Sequence, residues 1–151
     1  MTDIPTDLRY GADHMWASST AGSTVVRVGI TDHAQEALGD IISVTDPRED
    51  DTTEAGAPCG EIESTKTVSD LIAPVTGTVR ARNTAAEDAP ELINSDPYGR
   101  GWLFDVDVEP ATLDEQLAAL MDGPGYRQLV GDQPISGRDA VVRAASSRRS
   151  P

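Results

Sequence analysis

Cysteine is nearly missing from this chain: Cys59 stands alone among 151 residues. One thiol excludes an intrachain disulfide and a thiolate-based zinc cluster, so the polypeptide holds no redox centre of its own. Cys59 reads instead as a small apolar residue packed beside a hairpin. Basic side chains are also scarce, 12 against 26 acidic ones, for a formal net charge of −14. A phosphate backbone or an anionic lipid surface would be repelled, which argues against nucleic-acid and membrane partners. The charge fits either plain solubility or steering towards basic rims on partner enzymes, and composition does not choose between them. No apolar run reaches membrane-spanning length. The N-terminus lacks both the basic-then-apolar pattern of a secretory signal and the Arg-rich pattern of a transit peptide, so the expected location is the cytoplasm.

What is present suits one core: 151 residues with 38% hydrophobic content predict a single domain, and a monomer is the expected state. The informative stretch is residues 60–83, GEIESTKTVSDLIAPVTGTVRARN. Two β-prone runs, one ending Glu61-Ile62-Glu63-Ser64 and one beginning Thr67-Val68-Ser69-Asp70, leave only Thr65 and Lys66 between them, which is hairpin spacing. Two-residue turns favour Gly, Asn or Asp, so Thr and Lys here sacrifice turn propensity, and the gain is a primary amine on a rigid tip. Lone exposed lysines are usually solvated charges; this one is singled out by its setting.

The octapeptide Glu63-Ser64-Thr65-Lys66-Thr67-Val68-Ser69-Asp70, followed by Ala73-Pro74-Val75-Thr76-Gly77, resembles lipoyl-lysine hairpins, and more closely the H proteins of the glycine cleavage system. Biotin carriers share the hairpin but typically flank their lysine with methionine, where this chain has Thr65 and Thr67. Two further segments carry the same resemblance. One is residues 29–40, GITDHAQEALGD, which the lipoyl domains of 2-oxoacid dehydrogenases lack; the other runs from Pro90 through Tyr98 to Trp102. Near the N-terminus, Asp13-His14-Met15-Trp16 matches the family's His-Glu-Trp in its His and Trp but has Met15 for the glutamate. The resemblance spans residues 7–130.

It implies a lipoyl-carrier fold: a mainly β, flattened antiparallel sandwich (a barrel-sandwich hybrid) over residues 1–130, with a few short peripheral helices and a C-terminal helix. It also implies that the chain is a non-enzymatic carrier with lipoate covalently bound to Lys66. The aminomethyl intermediate would pass from glycine decarboxylase, a pyridoxal-phosphate enzyme, to a tetrahydrofolate-dependent aminomethyltransferase, and dihydrolipoamide dehydrogenase would reoxidise the arm. Glu63, Ser64 and Asp70 are candidates for recognition by the lipoate-attaching enzyme, with a solvated strand face as the plain alternative. Asp13, His14 and Asp70 are candidates for a cleft that shelters the loaded arm, with Asp13 compensating for Met15; simple packing is the other reading of His14 and Trp16. Two functions stay open beside the carrier: a lipoyl-relay protein that donates lipoate to other acceptors, and an unmodified interaction module.

The chain in order agrees with a sandwich. Val26, Val28 and Ile30 share one face of a strand, and Trp102, Phe104, Val106 and Val108 alternate with Asp105 and Asp107. The roughly symmetric pattern before and after Lys66 suggests a sandwich of two small antiparallel sheets whose halves are related by an approximate two-fold, with the lysine turn at one end. Asp32 with Gln35 is expected to cap a short helix ending at Gly39, with His33 exposed at its start and no second histidine nearby. A helix is predicted over residues 112–121 from a Thr112/Glu115 capping box, stopped by Gly123-Pro124-Gly125 and followed by a brief helix over 126–130. No metal site is expected. Residues 131–151, locally basic through Arg138, Arg143, Arg148 and Arg149, read as a disordered tail.

Overall fold

Alternation of apolar and polar residues builds two antiparallel sheets, seen in a computed structural model that describes residues 2–20 and 22–131. The elements run β1 (Arg9–Tyr10), β2 (Met15–Ser19), β3 (Val25–Ile30), α1 (Asp32–Leu38), β4 (Ile41–Thr45), β5 (Thr52–Thr53), β6 (Pro58–Ser64), β7 (Val68–Ile72) and β8 (Gly77–Arg82), then α2 (Thr84–Asp88), α3 (Glu91–Ser95), β9 (Phe104–Asp107), α4 (Pro110–Ala118) and α5 (Gly123–Gly131). One sheet has the order β1-β2-β3-β9-β8-β5, and the other β4-β6-β7. The expected sandwich is therefore present, with sheets of six and three strands.

The period-two faces meet in the middle. Val26, Val28 and Ile30 from β3, Phe104 and Val106 from β9 and Val79 from β8 pack with Ile41, Ile62 and Leu71 of the smaller sheet in one buried cluster. Each fully buried side chain of this kind contributes roughly 1.5–3 kcal/mol. A second cluster joins Ile4, Tyr10, Trp16, Tyr126 and Val130, so α5 is fastened to β1 and β2. Tyr10 and Met121 exchange two backbone hydrogen bonds of 2.8 Å. The N-terminal arm lies along α1, where the Asp3 amide donates to Asp32 Oδ2 (2.8 Å) and Tyr98 Oη donates to the Asp3 carbonyl (2.6 Å).

Three helix ends differ from expectation. Thr31, not Asp32, caps α1, its hydroxyl accepting from the Ala34 amide at 3.1 Å. The Thr112/Glu115 capping box does not form: α4 starts at Pro110, whose missing N–H suits a first helical turn. By the same logic Gly123-Pro124-Gly125 does not stop a helix but forms the start of α5. Among the described residues no helix is long and apolar enough to cross a membrane. Residues 132–151, most of the expected tail, lie outside the described residues.

Candidate functional site

β6 and β7 pair from Glu63 with Val68 downwards, and the Ser64 amide donates to the Thr67 carbonyl at 2.8 Å, leaving Thr65 and Lys66 at the tip. Primed hairpin turns need positive φ. Neither tip residue has it, since among the described non-glycine residues only His14 and Asp50 do. Ser64 supplies what Gly or Asn would have supplied, because its hydroxyl accepts from the Lys66 amide (3.1 Å) and the Thr67 amide (3.2 Å). Thr65 donates its amide to the Asp40 carbonyl at 3.0 Å. Every amide from 64 to 67 is thus engaged, and the turn is stiff.

The Asp40 carbonyl belongs to a small platform. Gly39 ends α1 with φ +83°, a conformation that glycine adopts cheaply. Asn94 on α3 braces it: Oδ1 accepts from the Ile41 amide, and Nδ2 donates to the Gly39 carbonyl and to Gln35 Oε1, each at 2.9 Å. A Cβ on Gly39 would fall 3.2 Å from Lys66 Cε, so the bare glycine is where the lysine stem rests. Lys66 is exposed, and the ion pairs among the described residues, Arg27–Asp105 and Arg82–Glu87, leave its amine free.

Ser64 is 5% exposed, so it serves the turn from beneath rather than offering a surface to a partner. Glu61, Glu63 and Asp70 are exposed on the outward face of the small sheet, with Ser43 Oγ donating to Glu63 Oε1 at 3.3 Å. From the turn, Val68, Asp70 and Ile72 follow one another on one side of β7. Ile72 opens into a cleft of about 350 Å³ lined by Asp13, Met15, Ala73, Pro74 and Leu120 among others. Asp13 therefore reaches the cleft and Asp70 stands on the way to it.

His14 does not line this cleft. Its backbone is left-handed, φ +69°, and its Nδ1 lies 2.7 Å from Tyr126 Oη on α5. Tyr126 Oη is 2.8 Å from Thr31 Oγ1, and Tyr10 stacks on the Tyr126 ring at 4.6 Å. His33 is 7% exposed, and its ring centroid sits 4.8 Å from that of His14, against the expectation of an exposed, isolated histidine. Burial, with His33 alongside, pushes His14 down to about 4, and burial lowers His33 despite Glu36 and Asp32. Both rings are neutral at pH 7. Two histidines do not make a metal centre, and among the described residues no cluster of three potential ligands occurs.

With this geometry in view, the family model for the glycine cleavage H-protein matches residues 8–133. The chain belongs to the glycine cleavage H-protein family. It is 54% identical over 130 residues to the glycine cleavage system H protein of Mycolicibacterium smegmatis, covering 86% of this chain and 98% of that protein. The corresponding protein of Mycobacterium avium is 54% identical over 128 residues, covering 84% and 96%. The crystal structure of the H protein from Mycobacterium marinum matches with a TM-score of 0.75 at 46% identity, over 85% of this chain and 99% of that one. The mainly β carrier architecture is thus the H-protein fold.

Within this H-protein fold, several features carry no local sequence signal. Lys66 is the only lysine in the sequence, every other basic side chain being arginine; that count was available from composition and sharpens the reading of the hairpin. Gly39 and Asn94 are silent until the fold brings them under the turn. Asp46 is 6% exposed with neither carboxylate oxygen hydrogen-bonded. Burial, then neighbouring Glu87, pushes it up to about 8 although Arg82 opposes the shift, so it is largely protonated at neutral pH. Burial, with Asp46 adding, raises the Cys59 thiol to about 11, which fits a packed rather than reactive sulfur.

Proposed function

We propose that Lys66 carries lipoate through an amide to Nζ and that the chain is the non-enzymatic shuttle of glycine cleavage. On this reading it serves glycine decarboxylase, a tetrahydrofolate-dependent aminomethyltransferase and dihydrolipoamide dehydrogenase in turn. The observation that carries the reading is the sole lysine of an H-protein-family chain standing unpaired on a fully hydrogen-bonded two-residue turn. An exposed amine on a rigid base fits amide attachment. When bound, lipoate supplies a dithiolane that exchanges between disulfide and dithiol, the redox function that a chain with one packed cysteine lacks.

The chain's own residues do the rest. Ser64 and the Asp40 carbonyl fix the base of the tether, so motion is confined to the arm, and tethering raises the local concentration at each partner. From Asp70 to Ile72, the outer side of β7 offers a path towards the cleft. There Met15, Ile72 and Leu120 exclude water, and Asp13 in the cleft and Asp70 on the way to it are carboxylates able to pair with a cationic load. Met15 brings no charge, which leaves that role to the two aspartates.

Intact mass of the protein from its native cell, with glycine–bicarbonate exchange by purified decarboxylase, tests this. Wild type is expected to carry one lipoyl group and support exchange, and Lys66→Arg, which keeps the charge but removes the only lysine, neither. A lipoyl group without exchange points to the relay function, and an unmodified native protein sinks the carrier reading.

A further inference from the structure

The outward face of the small sheet beside Lys66 has an unusual make-up. Ser43, Glu63 and Val68 form one row across the three strands, and Thr45, Glu61 and Asp70 the next. Between Ile41, paired with Ser64, and Ser43, paired with Glu63, the register shifts by one residue, and that residue is Ile42. Regular alternation would turn either Ile42 or Ser43 inward; the bulge leaves both outside, between the inward Ile41 and Val44. Ile42 is 51% exposed and Val68 56%, and among the described residues they are the exposed large hydrophobics. Neighbouring strands lie about 4.8 Å apart, so the two side chains flank Glu63 across roughly 10 Å, immediately below the lysine turn. Folding gains nothing from either exposure.

We propose that Ile42 and Val68 are paired apolar anchors for the enzyme that attaches lipoate to Lys66, with Glu63 between them as the charged contact. The inference rests on the reading of Lys66 as the lipoyl site. The partner it fits has a basic group between two apolar sockets at the rim of its active site, complementary to Glu61, Glu63 and Asp70. Reach selects this partner over the others. Acylation forms a C–N amide bond at Nζ and breaks the acyl–phosphate bond of a lipoyl adenylate that the enzyme makes from lipoic acid and ATP; AMP leaves, and the ammonium at Nζ gives up two protons to solvent, one before attack and one after. The amine itself must therefore enter the active site, no further from the sheet than a lysine side chain extends, so the enzyme must press on the row next to the turn. The glycine cleavage enzymes meet the far end of a much longer tether and are under no such constraint. A few well-packed, fully desolvated contacts at the centre of an interface carry most of the affinity, and the surrounding charge speeds encounter.

Initial rates of lipoylation by a purified bacterial lipoate–protein ligase, with lipoic acid and ATP, are measured against the concentration of unmodified protein for wild type, Ile42→Ser, Val68→Ser and the double variant. Circular dichroism establishes that each is folded, and both positions are outside the core. The double variant is expected to raise the half-saturating concentration about tenfold with a plateau rate within about twofold of wild type, each single variant giving an intermediate rise. Once lipoylated, it is expected to support glycine–bicarbonate exchange within about twofold of wild type. An unchanged half-saturating concentration overturns the anchors. An equal loss in exchange overturns the assignment to the attaching enzyme, making the face a shared dock. Failure of wild type to accept lipoate is a different result, which removes the underlying reading of Lys66 and the anchors with it.

Discussion

The Lys66 turn and the His14 corner both join side-chain hydrogen bonds to an irregular backbone, yet they use polarity in opposite ways. At the turn, Ser64 and Asn94 spend their polar atoms chiefly on backbone groups, and the amine of Lys66 is left over. At the corner, His14, Tyr126 and Thr31 spend theirs on one another beneath Tyr10 and beside His33. A His–Tyr–Thr chain has the look of catalytic machinery. Here it fastens α5 to the sheet, and on the proposed reading the chemistry belongs to the turn. Removing a part of the corner should therefore change stability and spare acylation, and loosening the turn should do the reverse.

The largest expected effect comes from Trp16, which is 1% exposed, donates Nε1–H to the Pro97 carbonyl at 2.9 Å and lies so close over Gly29 that a Cβ there would meet its ring at 2.6 Å. Trp16→Ala is expected to cost about 3–5 kcal/mol in urea unfolding. Under conditions where the variant is folded, its half-saturating concentration for lipoylation should equal that of wild type. A rise there would mean that the corner helps to shape the turn, and the contrast would fail.

The pH dependence of stability sharpens the same contrast. His14 titrates near its ordinary 6.5 when unfolded and at about 4 when folded, so the unfolded chain binds the extra proton first. Its contribution is fully present above about 6.5 and is lost as pH falls through about 4, amounting to roughly 3 kcal/mol. Asp46 runs the other way: raised from 3.8 to about 8, it contributes most at low pH and loses that contribution as pH rises through 8. Urea unfolding between pH 4.5 and 9 should show that His14→Asn, tolerated at positive φ, flattens the acid limb, and Asp46→Asn the alkaline limb. If His14→Asn leaves the acid limb as steep as in wild type, the corner is not the proton-sensitive part of the core.

The two regions also differ in how far the sequence disclosed them. The hairpin was legible because its two strands and the turn between them are contiguous in sequence, and the strands around it follow period two, as Val26, Val28 and Ile30 do. The corner was not, because a one-residue change in helix start matters there. With Thr31 rather than Asp32 as the cap, the helix face turns by about 100°, and His33 goes inward to meet His14 across 19 positions of chain. Proline misleads for a related reason: Gly123-Pro124-Gly125 reads as a stop and the Thr112/Glu115 box as a start, though a first helical turn accepts both Pro110 and Pro124. The platform under the turn had no local trace at all, since Asn94 meets Gly39 across 55 residues.

That platform provides the smallest expected effect in stability and the most discriminating one in function. Asn94→Ala leaves the Ile41 amide and the Gly39 carbonyl without their partner, and should cost about 1–3 kcal/mol. This is no more than the loss at Trp16, but its consequence lands elsewhere. The Gly39–Ile41 segment supplies the Asp40 carbonyl that holds the Thr65 amide, so freeing it frees the base of Lys66. Hydrogen exchange at Thr65 and Ile41 should accelerate by about tenfold while amides of β3 and β9 are unchanged. The plateau rate of lipoylation should fall severalfold at an unchanged half-saturating concentration, because Ile42, Glu63 and Val68 still present the same row while the amine dwells less often where acylation needs it. Asn94→Asp keeps the acceptor for Ile41 and loses the donor to Gly39, so it should fall between Ala and wild type. If Asn94→Ala slows acylation no more than Trp16→Ala does, Asn94 is only another stabilising residue, and the turn is stiff without it.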